Sequence, residues 1–160
     1  MGRMYTATFP PIAITAEQDL FEITAPADAV VRIHSIEIGQ ETDEGDAQAE
    51  MLAYRLVRGE GTVTGGTGGA TVTPTPVSKG DVAFGGVVDR NNTTKMLVGT
   101  GALKLLKEST FNAQIGLFIQ YAPDERPDIS PDDKFTLELS EAPADTITFA
   151  GTITFEEIGG

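Results

Sequence analysis

The residue types that most often carry catalysis are scarce in this chain. It has no cysteine and a single histidine, His34. A zinc site would therefore need three carboxylates beside His34, which is a rare ligand set. No Gly-x-Ser-x-Gly sequence is present to offer a nucleophilic serine to a neighbouring base. Because His34 lies within an alternating apolar segment, we expect a strand residue at a sheet surface or interface.

The glycine-rich stretch 59–69 has the composition of a phosphate-binding loop but lacks its other features. It does not end in Gly-Lys-Ser/Thr, and no helical pattern follows it. Without a helix, its amides have no dipole to align with at an anion. We interpret the stretch as a flexible loop and expect no nucleotide site there.

Two acidic clusters contain the carboxylate oxygens that Ca²⁺ prefers. They comprise Glu41, Asp43, Glu44 and Asp46, and Asp128, Asp132 and Asp133. A calcium loop requires ligands at set spacings and a distal carboxylate, and neither cluster matches that spacing. Both are expected to be solvated turns. We therefore predict no catalytic, cofactor-binding or metal-binding residue and no cofactor, and we expect a protein that is not an enzyme.

Two other features leave alternatives to weigh. Asn91, Asn92, Thr93 and Thr94 form two overlapping glycosylation sequons, but we expect a turn, since asparagine tolerates the left-handed conformation.

Two carboxylates distant in sequence would suffice for glycoside hydrolysis, so that activity stays open. The chain has no tryptophan and three tyrosines, which are few rings to stack on a sugar.

Charge and length narrow the class of protein. With 160 residues the chain fits one domain, 1–160. It has 11 Lys and Arg against 24 Asp and Glu, a formal net charge of −13. Such a surface repels phosphate backbones and anionic membranes, so we expect no direct nucleic-acid or membrane partner. No apolar run approaches the length of a membrane span, and the first residues lack a signal-peptide pattern.

The elements that must position any site are predicted to be strands. Alternation with period two, typical of half-buried strands, marks 5–9, 30–38, 111–121, 135–139 and 147–155. We expect Pro10 and Pro11 to end the first strand, a bulge near Ser35, and a bend or close approach at Gly151. The predicted core comprises Phe9, Leu20, Ile33, Ile36, Leu56, Ile115, Leu117, Leu137, Ile147, Phe149, Ile153 and Phe155.

Three segments are less regular. Residues 51–57 favour a strand, although helix formers precede them, and 102–108 fit either a short helix or a strand. Residues 59–78 are rich in Gly, Thr, Pro and Val, and we interpret them as an extended loop or arm that grips a partner. Together, the many short strands predict an all-β fold, an antiparallel β-sandwich of jelly-roll type.

Several phrases of the chain resemble small structural proteins encoded among the head and tail genes of tailed bacteriophages and prophages. They are DLFEITAP (19–26), IEIGQ (36–40), GDAQAE (45–50), AFGG (83–86), NNTT (91–94), FNAQ (111–114), ERPDISP (125–131), APAD (142–145) and GTITFEE (151–157). The resemblance spans nearly the whole chain. Its phrases are structural rather than catalytic, so it transfers no catalytic residue.

The resemblance implies a virion protein that is assembled in the cytoplasm of a bacterial host. Within the particle it favours a capsid decoration or cement protein bound to the major capsid protein. A tail or neck component, or a receptor- or carbohydrate-binding module, is the alternative. Symmetric homo-oligomers are common among structural subunits, and the threefold positions of a capsid favour a trimer.

Overall fold

Two antiparallel sheets pack face to face around one hydrophobic core. The computed structural model describes residues 2–41 and 50–159. Within those ranges the strands are β1 (Arg3–Ile14), β2 (Gln18–Thr24), β3 (Ala29–Gln40), β4 (Met51–Glu60), β5 (Val63–Thr64), β6 (Ala70–Val72), β7 (Thr75–Pro76), β8 (Val87–Asn92), β9 (Leu97–Val98), β10 (Ala102–Asn112), β11 (Leu117–Gln120), β12 (Asp128–Ile129), β13 (Lys134–Leu139) and β14 (Ile147–Gly159). The helical element described, Pro123–Glu125, has three residues, and no helix in the described ranges could cross a membrane.

The strands form two large sheets and one small one. Sheet 1 has the order β11–β3–β14–β1–β7, with β12 also paired to β3. Sheet 2 has the order β10–β4–β13–β2–β8–β6, and β5 pairs with β9 in a separate ribbon. Neighbouring strands are antiparallel in all three. The predicted antiparallel all-β sandwich is confirmed.

Alternating apolar residues of both sheets meet in the core. The rings of Phe9 in sheet 1 and Phe21 in sheet 2 lie 4.9 Å apart. At the other end, Phe111 and Phe149 make a similar pair between the sheets at 6.1 Å. All of the predicted core residues are buried except Ile115, which is 85% exposed. The period-two pattern therefore located the core correctly at every position but one.

The error at Ile115 arises because 111–121 is two strands and not one. Strand β10 ends at Asn112, whose carbonyl accepts the N–H groups of Ile115 and Gly116. Gly116 has φ of 87°, a left-handed conformation that favours glycine. The turn carries the chain from sheet 2 to sheet 1. Because the apolar alternation stays in phase on both sides of the turn, the pattern does not reveal the break.

The expected end of β1 at Pro10 and Pro11 is also wrong. Phe9 pairs with Gly151 and Ile12 with Phe149, so the strand continues beyond a bulge that contains both prolines. The bulge places both prolines outside the regular hydrogen-bond ladder. Because no ladder bond is needed there, the lack of a proline N–H group costs no hydrogen bond.

Two local predictions on the central strands are confirmed. Ser35 pairs with Thr154 and Ile33 with Phe155, which makes His34 the extra residue of a bulge in β3. A Cβ atom at position 151 would lie 2.7 Å from the Phe9 ring and 2.6 Å from Ile38 Cδ1. Gly151 is therefore a site of close approach. Both ambiguous segments, 51–57 and 102–108, lie in strands, β4 and β10.

Residues 59–78 are extended, but they have partners within their own subunit, which the sequence did not predict. Strand β5 pairs with β9, β6 with β8 at the edge of sheet 2, and β7 with β1 at the edge of sheet 1. The segment thus runs from one sheet edge to the other. The segment has few large apolar side chains, so its composition predicts a loop. The backbone hydrogen bonds that hold the segment in place cannot be recognised from composition.

Candidate docking surface

Two segments cover part of the outer face of sheet 2. They are residues 61–69, which contain β5, and residues 93–101, which contain β9; we call them the cover. Met96 lies beneath the cover, 5% exposed. Its sulfur approaches the backbone of Gly59 on β4, where a Cβ atom would lie only 2.7 Å away. The cover therefore packs directly on the sheet.

Two buried carboxylates on β2 bind the two segments of the cover separately. The Met96 N–H donates to Asp19 Oδ2 at 2.7 Å, and the Gly66 N–H donates to Glu22 Oε2, also at 2.7 Å. Lys134 Nζ lies 3.8 Å from Glu22 Oε1. Charge-assisted hydrogen bonds of this kind are stronger than neutral ones. They compensate for the scarcity of apolar side chains in the cover.

Burial changes the proton affinity of both carboxylates. It raises the pKa of Asp19 to about 7, and the nearby negative charges of Glu22 and Glu138 act in the same direction. The Met96 N–H and the Lys95 ammonium lower that pKa. Burial likewise raises the pKa of Glu22, against the Gly66 N–H and Lys134. Asp19 can therefore exchange a proton near neutral pH. The oxygens of both carboxylates bind backbone N–H groups, which fits an anchoring role.

Lys95 adds a third attachment of the cover to the sheet. Its ammonium donates to Glu17 Oε2 at 2.9 Å and to Glu138 Oε1 at 3.1 Å. The bond to Glu138 is partly buried, whereas Glu17 is exposed. Since exposed ion pairs stabilise little, the buried carboxylate of Asp19 fixes the position of β9 more firmly than Lys95 does.

The anchored cover displays apolar side chains next to the edge of sheet 2. Leu97 of β9 is 62% exposed and Val98 is 56% exposed. On β10, Leu103 and Leu105 are also exposed. Beside Leu103 and Leu105, a groove of about 180 Å³ is lined by these two residues and by Arg55, Val57, Met96, Thr136 and Glu138. We call Leu97, Val98, Leu103 and Leu105, together with the edge of β10, the docking surface.

Strand β10 supplies an open sheet edge over eleven residues. It pairs with β4, and among the described residues no strand lies on its other side. Lys104 and Lys107 make no ion pair within the described ranges. Edge lysines and the bulge at Leu106 also limit indiscriminate strand pairing. This edge therefore suits a partner selected by charge.

The sequence candidates for metal chemistry are dispersed. His34 lies on β3, half-buried, with Nε2 3.2 Å from Glu156 Oε2, so it is a strand residue as expected. Asp128 pairs with Arg32 at 2.7 Å. Asp133 Oδ1 accepts the Gly61 N–H. No group of three or more potential ligands occurs in residues 2–41 and 50–159, and Asp43, Glu44 and Asp46 lie outside the described residues.

The asparagine pair does not form the turn that the sequence predicts. Both residues end strand β8, and both side chains are buried. Asn91 has φ of 52°, in line with the expected tolerance of asparagine for the left-handed region. Asn92 Oδ1 accepts the Gly69 N–H, and Gln18 donates to Asn91 at 3.1 Å. Asn92 therefore helps to hold Gly69 on sheet 2, whereas Asn91 is bonded to β2.

Sequence reasoning missed the groups that build the docking surface. Asp19 and Glu22 flank a short apolar pair, Leu20 and Phe21, and nothing in their spacing marks the two carboxylates as buried. The alternation of Leu103 and Leu105 is compatible with a strand. However, the sequence does not show where that strand lies in the sheet, and therefore does not show that its edge is open. Leu97 and Val98 form a two-residue apolar pair that is too short to interpret.

Comparison of the chain with models of protein families, with curated proteins and with solved structures finds no match. The function must therefore be argued from the chemistry of the surfaces and from the resemblance described above.

Proposed function

We propose that this protein is a structural, non-enzymatic subunit of a tailed-phage virion: a decoration or cement protein that binds the outer shell of the capsid. The observation that carries the proposal is the docking surface, an open eleven-residue sheet edge beside exposed leucine and valine side chains. Contiguous exposed apolar residues on a soluble protein are typical of protein interaction sites. The resemblance to phage head and tail proteins supports a tailed-phage particle as the site of assembly.

The proposed partner is an extended, acidic segment of the major capsid protein. Such a segment adds a strand to the edge of β10, where main-chain hydrogen bonds give affinity and side chains give specificity. Within residues 2–41 and 50–159, Lys104 and Lys107 make no ion pair, although acidic residues outnumber basic ones 24 to 11. Carboxylates on the added strand would pair with them. Leu103 and Leu105 would pack against apolar residues of the same segment.

The proposed assembly is a homotrimer at a threefold position of the shell. Three copies would bind three equivalent capsid segments, so weak individual contacts combine. A closed ring of this kind follows the symmetry of its site. A neck or tail component would instead occupy a unique position on the particle and occur in few copies.

Copy number in purified particles tests this proposal. Virions are isolated from the strain that encodes the gene, and the chain is quantified by mass spectrometry relative to the major capsid protein. A decoration protein is expected at a constant ratio of the same order as the capsid protein. A few copies per particle would support a neck or tail component, and absence from the particle would refute the virion assignment.

A further inference from the structure

The outer face of sheet 1 presents two regular rows of polar side chains. In the first row, Phe118 on β11 lies opposite Glu37, Glu37 opposite Thr152, and Thr152 opposite Thr8. Neighbouring strands are about 4.8 Å apart, so this row spans about 14 Å across four strands. A second row, about 7 Å away along the strands, consists of Gln120, Ser35, Thr154, Thr6 and Thr75.

The polar groups of these rows have no partners within the described residues. No hydrogen bond or ion pair engages the hydroxyls of Thr6, Thr8, Thr152 and Thr154, or the carboxylate of Glu37. Hydroxyl groups both donate and accept, and the carboxylate accepts at two oxygens. In a protein of net charge −13, the two rows contain a single charged residue. The two rows on the outer face of sheet 1 therefore suit a hydroxyl-rich ligand without net charge.

The shape of the face complements its chemistry. A trough of about 480 Å³ borders the first row, with Thr8, Glu37, Gly39, Glu41 and Thr152 among its lining residues. A Cβ atom at Gly39 would meet nothing within 4 Å, so the trough is open at this lining residue. At the end of the row, Phe118 is 66% exposed. An exposed ring beside a polar trough offers an apolar platform and hydrogen-bonding groups to one ligand.

We infer that the outer face of sheet 1 binds a neutral polysaccharide. The ring of Phe118 would stack on the C–H face of one sugar, because contact between the two buries apolar surface of both. Glu37 would accept hydrogen bonds from two hydroxyls of the same or the next sugar, and Thr8 and Thr152 would bind further along the chain. Phosphate-bearing ligands do not fit, because the rows contain no cation and Glu37 repels anions.

This inference does not depend on the virion assignment. The docking surface lies on sheet 2, whereas the polysaccharide face is the outer side of sheet 1. Both surfaces can therefore be occupied at once. Failure of capsid binding would leave the polysaccharide face untouched, and the reverse also holds.

Native gels that contain a soluble polysaccharide provide the test. The full chain is run in gels with mannan, laminarin, galactomannan or dextran, and with polygalacturonate as an anionic comparison. We expect at least one neutral polymer to retard the protein, and Phe118→Ala to weaken binding about tenfold. Glu37→Gln should also weaken it. Ile115→Ala, which removes an exposed apolar side chain outside the rows, is the matched control and should bind normally.

Unchanged circular dichroism and melting of both variants would exclude misfolding as the cause. The inference is overturned if no neutral polymer retards the protein, if polygalacturonate is preferred, or if Phe118→Ala binds as tightly as the wild type.

Discussion

The backbone N–H of Met96 donates to the buried carboxylate of Asp19 at 2.7 Å, and this bond fixes the start of strand β9. The next two residues, Leu97 and Val98, are the most exposed apolar side chains of the docking surface. A buried polar contact thus determines where the apolar groups are displayed.

Asp19 should make stability depend on pH. Burial raises its pKa to about 7 in the folded protein from an ordinary value of 3.8, so the folded state binds the proton more tightly than the unfolded state. The contribution of Asp19 to the free energy of unfolding should therefore be fully present below its ordinary pKa and be lost as the pH rises through about 7. Asp19 alone should account for about 2–3 kcal/mol between about pH 5 and pH 8.

Urea unfolding at the two pH values checks this expectation. Asn at position 19 keeps an acceptor for Met96 but cannot ionise, so Asp19→Asn should flatten the pH dependence. Glu17→Gln, at an exposed carboxylate nearby, is the control and should leave the dependence unchanged. Equal slopes for wild type and Asp19→Asn would show that Asp19 does not titrate in this range.

Gly151 should tolerate no side chain. A methyl group there would lie 2.7 Å from the Phe9 ring and 2.6 Å from Ile38, and overpacking of this kind costs about 1–3 kcal/mol. Gly39→Ala is the matched control, because its added methyl group meets open space. Thermal unfolding should show a lowered Tm for Gly151→Ala and little change for Gly39→Ala. A normal Tm for Gly151→Ala would mean that the side chains of Phe9 and Ile38 can move aside without penalty.

Phe149→Ala should be among the most destabilising single substitutions. Its side chain is fully buried and packs near Phe111, and removing such a ring costs about 3–5 kcal/mol. Phe118→Ala removes a ring of the same size from the surface and should change stability by less than about 0.5 kcal/mol. Denaturant unfolding of the two variants compares them directly, and similar losses would argue against the burial described here.

The sequence predicted the sandwich and its core because period-two alternation reports burial directly. It failed where tertiary structure overrides that local pattern. Ile115 keeps the alternation in phase across a turn, and the two prolines of β1 occupy a bulge that only the register with β14 reveals.

The site was harder to predict than the fold. The carboxylates of Asp19 and Glu22 are buried by the cover, whose segments come from distant parts of the chain. The open edge of β10 is a property of strand order, which no local pattern encodes. The rows on sheet 1 likewise depend on register among four or more strands, although their threonines were visible as alternating polar residues.

The most direct test of the central claim is binding to particles that lack this protein. Virions produced without the gene are purified, mixed with the recombinant chain and sedimented. We expect the wild-type protein and a Val82→Ser control, altered at an exposed residue outside the docking surface, to sediment with the particles. A Leu97→Ser and Leu105→Ser double variant should remain in the supernatant. A wild-type protein that stays in the supernatant, or a double variant that sediments like the wild type, would contradict the account.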